Sequence, residues 1–97
     1  MQASERRRSQ RMAIDSAVCL WHPTIEQFVN GRGVDISRHG AAVDLPVSVP
    51  VSAGQLVDIN FVAPKDRTEK PTRSARVVRV SRDRVLEGVQ RLGLEFS

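Results

Sequence analysis

Along most of its length the chain alternates apolar and polar positions with a period of two, and no stretch keeps a helical period for three turns. Leu56–Val62 is the plainest case. Val57, Ile59 and Phe61 fall on one face, Asp58 and Asn60 on the other. Ala17–Trp21 is a short apolar run ended by Pro23. Phe28–Ile36 is extended but interrupted by Asn30-Gly31 and Gly33. Those residues mark a two-residue hairpin turn or a bulged strand, and the bulged strand is preferred. Ala41–Leu45 closes at Pro46, and Val47–Gly54, with Pro50 inside it, predicts a loop. Pro64–Pro71 predicts a charged loop. Thr72–Val80 is β-branched, and Arg73, Arg76 and Arg79 break its alternation at a bulge at Val77-Val78. Val89–Phe96 sets Leu92, Leu94 and Phe96 on one face. Six short strands in about 80 residues predict an all-β domain with little or no helix. The expected form is a small six-stranded antiparallel β-barrel, closed or nearly so, because closure removes exposed edges.

Composition narrows the function. Ninety-seven residues make one domain. A chain of this size buries roughly 60–65% of its unfolded surface, enough for one modest core and too little for an enclosed enzyme cleft. No nucleophile–base triad, paired carboxylates or metal-ligating cluster is discernible, so no catalysis, cofactor or metal is expected. Cys19 is alone, which excludes an intrachain disulfide, and with two histidines it does not make a zinc site. Cys19 and Trp21 lie among apolar residues and read as core, whereas His22, before Pro23, reads as a loop residue. No apolar run resembles a signal peptide or a membrane span, so the expected compartment is the cytoplasm.

Charge is unevenly spread. The net charge is +4, carried by 13 arginines and only two lysines against 11 acids. Met1–Arg11 holds Glu5, Arg6, Arg7, Arg8 and Arg11, a local net charge of +3, and the remaining residues are near neutral. The chain thus divides into a flexible arginine-rich segment, 1–11, and a barrel, 12–97. Two short patterns follow from this division. Arg7-x-x-x-Arg11 is an arginine pair four apart. Asp35-x-Ser37-x-x-Gly40 stands where a strand ends and a turn begins. Each alone also fits an ordinary role. The arginines suit a solvated tail. The second pattern suits a turn whose Asp accepts backbone N–H groups and whose Gly takes a positive φ. Together they suit a guanine nucleotide with phosphates. Arginine forks grip phosphate oxygens and the O6/N7 edge of guanine, and a carboxylate accepts from guanine N1–H and N2–H₂.

These two patterns, with Glu5-Arg6-Arg7 ahead of them and Leu92-Gly93-Leu94-Glu95-Phe96 at the end, resemble the PilZ domain in order and separation. The resemblance spans essentially the whole chain. It implies a six-stranded PilZ-type barrel that binds cyclic di-GMP at its surface, with the N-terminal segment folding over the ligand. By that resemblance Arg7 and Arg11 hold phosphates and guanine faces, Asp35 and Ser37 read a guanine edge, and Gly40 shapes the turn. Gly93 and Phe96 are a close-packed strand position and a core plug. Arg6 ahead of the pair goes, in the family, with two mutually intercalated cyclic di-GMP molecules. Domains of this family commonly continue into a C-terminal helix, whereas this chain ends at Ser97, which fits a domain cut from a longer protein or a minimal version.

The function implied is a cyclic di-GMP receptor in bacterial second-messenger signalling of motility, exopolysaccharide or biofilm. It would act by presenting a changed surface to a protein partner or a fused domain. Arg8, Arg38, His39 and Gly93 are secondary candidates for ligand contact. Arg8 and His39 read more readily as solvent-facing, and Arg38 can add a positive charge beside the ligand. Arg73, Arg76, Arg79, Arg82 and Arg84 read as a solvated strand face, with a ligand rim or partner surface as the alternative. The competing functions are a small basic barrel that binds nucleic acid and a PilZ-type interaction domain without ligand. Four aromatic residues and a near-neutral barrel speak against the first. The intact motif residues speak against the second.

Overall fold

The computed structural model describes residues 11–61 and 73–97. Six strands form there: β1 Met12–His22, β2 Gln27–Ile36, β3 Gly40–Pro46, β4 Leu56–Phe61, β5 Arg73–Ser81 and β6 Val89–Phe96. All pairings are antiparallel, and the order β1-β2-β3-β6-β5-β4 closes into a barrel. The only helical piece among the described residues is the single 3₁₀ turn Val85–Glu87, which ends on Gly88 at φ +80°. The expected charged loop Pro64–Pro71 and the start of its following strand at Thr72 lie outside the described residues.

Alternation sets the core. Val18 and Leu20 of β1, Val43 and Leu45 of β3, Val57 and Ile59 of β4, Ala75 and Val77 of β5, and Leu92 and Leu94 of β6 all point inward and are almost wholly buried. Phe61, Val80 and Phe96 pack against this cluster from its margins. Because Val18 and Leu20 face inward, the two-residue period also turns His22 inward and Cys19 and Trp21 outward. This corrects three expectations. Cys19 and Trp21 are half-buried on the outer surface, where Trp21 tilts against the exposed Phe28 with ring centroids 4.8 Å apart. His22 is 1% exposed and ends the strand.

β2 runs unbroken through Asn30-Gly31, so no hairpin turn forms there, and the bulge falls further on. Gly33 pairs with Val43 and Asp35 with Ala42, which leaves Val34 as an extra residue. β5 repeats the device: Val77 pairs with Leu94 and Arg79 with Gly93, leaving Val78 extra and exposed, at the predicted bulge.

The strand directions give the barrel two unlike ends. One carries the residues 47–55, the β1–β2 turn and the β5–β6 turn. There Val49 and Val51 pack on the core, and buried polar groups fasten the loop backbone. His22 Nε2–H donates to Pro50 O at 2.7 Å, and Gln55 Nε2 donates to His22 Nδ1 at 2.9 Å. Gln90 Nε2 donates to Pro46 O and Val49 O, both at 2.8 Å. The other end carries the start of β1, the β2–β3 turn and the close of β6.

Candidate functional site

The site begins with the bulge at Val34. Gly33 faces the core, where its backbone lies beside Ile14, Val18 and Phe61. Asp35, two residues on, would face the core as well in a regular strand. The extra residue reverses the parity, so Asp35 stands in the outward row beside Ala42. Its side chain keeps 26% of its accessible surface, which leaves the carboxylate reachable. Arg11, the residue before β1, lies next to it across the β1–β2 ladder. Its Nη1 is 2.7 Å from Asp35 Oδ1.

This contact joins the two sequence patterns, 24 residues apart, at one place. The pair is half open to water, with the arginine side chain 52% exposed. Exposed ion pairs contribute about 0–1 kcal/mol, so the contact opens cheaply when another anion competes for Arg11.

The turn after β2 is held by Ser37. Its backbone N–H donates to Gly40 O at 2.8 Å. Its Oγ accepts from the N–H groups of His39 at 3.2 Å and Gly40 at 3.3 Å, and donates to Gly40 O at 3.4 Å. The hydroxyl is thus engaged on both its donor and its acceptor sides with turn backbone. Arg38 and His39 occupy the exposed tip. The Asp35 carboxylate bonds Arg11, while Ser37 and the Phe96 N–H, which donates to His39 O at 2.8 Å, hold the turn.

Gly40 differs from the expectation of a positive φ. It is the first, extended residue of β3, and the positive-φ glycines among the described residues are Gly54 and Gly88. Glycine is required at 40 for space: a Cβ there would collide with the carbonyl oxygen of Leu94 on β6. Gly93 also departs from its expected role. A Cβ at 93 would meet only the side chain of Arg79, at 3.5–3.7 Å, which is ordinary contact. Close approach of backbones therefore belongs to Gly40 and not to Gly93. Phe96 is half-buried at the barrel margin, with the Arg73 guanidinium 3.9 Å above its ring. Arg6, Arg7 and Arg8 lie outside the described residues.

One charged cluster had no sequence signal. Asp44 on β3 receives Arg91 Nε at 2.7 Å and Nη2 at 3.1 Å, and Arg84 Nη1 at 3.4 Å. The residues are 40 to 47 apart in the chain and meet only through strand register. Hydrogen bonding to Asp44 raises the Arg91 pKa above its ordinary value, and the negative charge of Asp35 adds to this from across the same face. A groove of about 550 Å³ opens beside the cluster, between β2, β3 and the β5–β6 turn. Its cations are already paired, Arg84 with both Asp44 and Glu87 and Arg32 with the exposed Asp15, and Asp44 is itself held by two arginines. The Arg11–Asp35 end presents one partly exposed pair. Among the described residues no group of three His, Cys, Asp or Glu could hold a metal ion.

Known structures share this architecture. The Bacillus subtilis inhibitor of motility (MotI/DgrA) superposes with a TM-score of 0.74 at 22% identity, over 95% of this chain and 43% of that chain. The PilZ domain with c-di-GMP of YcgR from Escherichia coli superposes with a TM-score of 0.68 at 18% identity, over 94% of this chain and 77% of that chain. The chain thus spans less than half the length of the motility inhibitor. No curated protein matches it in sequence. The sequence model of the PilZ domain matches residues 5–97, over the barrel, its bulges in β2 and β5 and the Ser37 turn, and the chain belongs to the PilZ domain family.

Proposed function

We propose that this domain is a receptor for cyclic di-GMP and that the ligand sits on the outer face at the Arg11–Asp35 end. The observation that carries this reading is the 2.7 Å contact between Arg11 and Asp35. It brings a phosphate-gripping fork and a guanine-reading carboxylate within reach of one small ligand. A guanine base presents N1–H and N2–H₂ to Asp35, while ligand phosphate takes over the guanidinium of Arg11. Arg11 thereby exchanges one anionic partner for another, and Asp35 exchanges a cation for a pair of neutral N–H donors, so neither is left bare. Ser37 keeps the turn in the shape that leaves Asp35 accessible, and Gly40 keeps that turn tight against β6. Arg6 and Arg7 complete the grip from the N-terminal segment, and Arg38 adds a cation at the turn tip. Arg6, Arg7, Arg11 and Arg38 supply four positive charges, which match the four phosphate charges of two stacked dinucleotides. Two intercalated molecules per chain are therefore expected.

The output is a changed surface and no chemistry. Drawing residues 1–11 onto the barrel hides arginines that a partner or neighbouring domain otherwise meets. The PilZ relatives support a place in cyclic di-GMP signalling, with motility as the process the named inhibitor points to. Calorimetric titration tests the reading. Cyclic di-GMP should bind saturably with a stoichiometry of two, and Arg6→Ala should shift it toward one. GMP and GTP should bind weakly, because neither spans the arginines and the turn together. Equal affinity for GTP and cyclic di-GMP would sink the assignment.

A further inference from the structure

β2 loses one of its two neighbours partway along its length. The β2–β3 ladder stops at Arg32 and Asp44, while the β1–β2 ladder runs on to His22 and Gln27. Continued in register, the β2–β3 ladder would set Asn30 opposite Pro46, which has no N–H to donate. The chain at Pro46 is held instead from the β6 side. Gln90 Nε2 donates to Pro46 O at 2.8 Å, and the Val47 N–H donates to Gly88 O at 3.0 Å. β3 is thereby drawn off β2, and the groove of about 550 Å³ opens in the gap, with Asn30 and Gly31 on one side and Pro46, Arg84 and Val89 on the other.

Gln27–Asn30 therefore forms a sheet edge on this side. Every second residue of an antiparallel strand turns its N–H and C=O away from a given neighbour, so part of this backbone faces the gap. Among the described residues, none of the four has a backbone hydrogen bond to a loop. Proteins guard such edges with charged side chains, prolines or bulges. Gln27-Phe28-Val29-Asn30 carries none of these, and the β2 bulge falls past it, at Val34. Phe28 stands 59% exposed on the same edge. The rim charge open to water is positive: the Arg32 and Arg84 side chains are 64% and 45% exposed, that of Asp44 only 14%. A strand of a second barrel would bring its own neighbours into the gap and meet the opposite wall, whereas a single extended segment would not.

We infer that the gap between β2 and Pro46 is a docking site for an extended peptide segment of a partner protein, which adds as a strand to Gln27–Asn30 and sets an acidic side chain against Arg32 and Arg84. In such additions backbone pairing supplies affinity and alternate side chains supply selectivity. Four paired residues span roughly 13 Å. Phe28 favours an aromatic or β-branched side chain across from it. Arg32 gives up only its exposed pair with Asp15 to receive the incoming carboxylate, an exchange that costs little. The inference stands apart from cyclic di-GMP binding, which concerns the Arg11–Asp35 end.

Random peptides displayed on phage and selected on the whole chain supply the probe. The recovered sequences should alternate β-branched or aromatic residues and carry Asp or Glu at one end. As synthetic peptides they should slow hydrogen exchange about tenfold at those amides of Gln27–Asn30 that exchange fast in the free chain. Asn30→Pro, which removes an edge N–H, should weaken them about tenfold, and Arg32→Ala about threefold. Phe28→Ser, at an exposed side chain, should also weaken them and serves where proline loosens β2. Recovery of no peptide, protection elsewhere on the barrel, or unchanged affinity in Phe28→Ser and Arg32→Ala overturns the inference. So does uniform protection of Gln27–Asn30 in the free chain, which places the chain's own residues on the edge, or a concentration-dependent dimer that Phe28→Ser dissolves, which places a second copy there.

Discussion

The two ends of the barrel use similar polar side chains in opposite ways. At the end closed by residues 47–55, His22 and Gln90 are each 1% exposed and donate to backbone carbonyls of the loop. At the other end, Arg11 and Asp35 bond each other in contact with water. The donors buried there must keep their partners, because orphaning one costs about 1–3 kcal/mol, and Gln90 Oε1 already lies buried without a partner among the described residues. Exposed ion pairs can change partners at little cost, because their worth is about 0–1 kcal/mol. One end is thus fastened and the other is exchangeable. The proposed ligand site lies at the end where the polar contacts can be traded. The β2–β3 turn sits between these extremes, fixed internally by Ser37 yet presenting Asp35 outward.

The largest effects should separate the two kinds of end most sharply. Arg11→Ala should cost about 2–4 kcal/mol of cyclic di-GMP binding, the scale for truncating one partner of a charge-assisted contact. It should leave the unfolding midpoint nearly unchanged, since its ion pair is exposed. Calorimetry paired with urea unfolding reads both numbers, and a loss of stability equal to the loss of binding breaks the comparison. Gly40→Ala comes next. A methyl group pressed against the Leu94 carbonyl should destabilise the fold by about 3 kcal/mol, because backbone must shift to admit it. A variant as stable as the parent would show that the turn is loose and not braced against β6.

His22→Ala should show the reverse of Arg11→Ala. It orphans Pro50 O at the closed end, so stability should fall by about 1–3 kcal/mol with ligand affinity unchanged. The smallest effect is the most discriminating. Gly93→Ala fits the space available, and replacing glycine within a strand should stabilise by about 0.5–1 kcal/mol. The same methyl group stands on the outer face beside Ala42, the cross-strand neighbour of Asp35, so binding should weaken as stability rises. Improvement of both would remove Gly93 from the site.

Much of the barrel was legible in the sequence because alternation and punctuation carry it. Leu56–Val62 and Val89–Phe96 needed only their period of two, and Val77-Val78 betrayed its bulge by breaking the arginine spacing. What escaped was parity. Trp21 and Cys19 read as core on hydrophobicity, yet Val18 and Leu20 hold the inward positions and a strand cannot bury both sets. His22 was hidden for the same reason. In the site, Asp35 and Gly40 could be singled out by spacing, but the reason for each lies in tertiary structure. Asp35 faces outward only because of the residue before it, and Gly40 is glycine only because β6 passes close by. The open edge at Gln27–Asn30 left no signal, since it depends on where the β2–β3 register ends, which no local pattern encodes.

Mapping amide chemical shifts during titration with cyclic di-GMP tests the exchangeable-end claim most directly. The account predicts shifts concentrated at residues 6–13 and 35–42, with His22, Val49, Val51 and Gln90 unmoved. Saturable shifts centred on the closed end or on the groove beside Asp44, or none at Asp35 at saturating ligand, would contradict it.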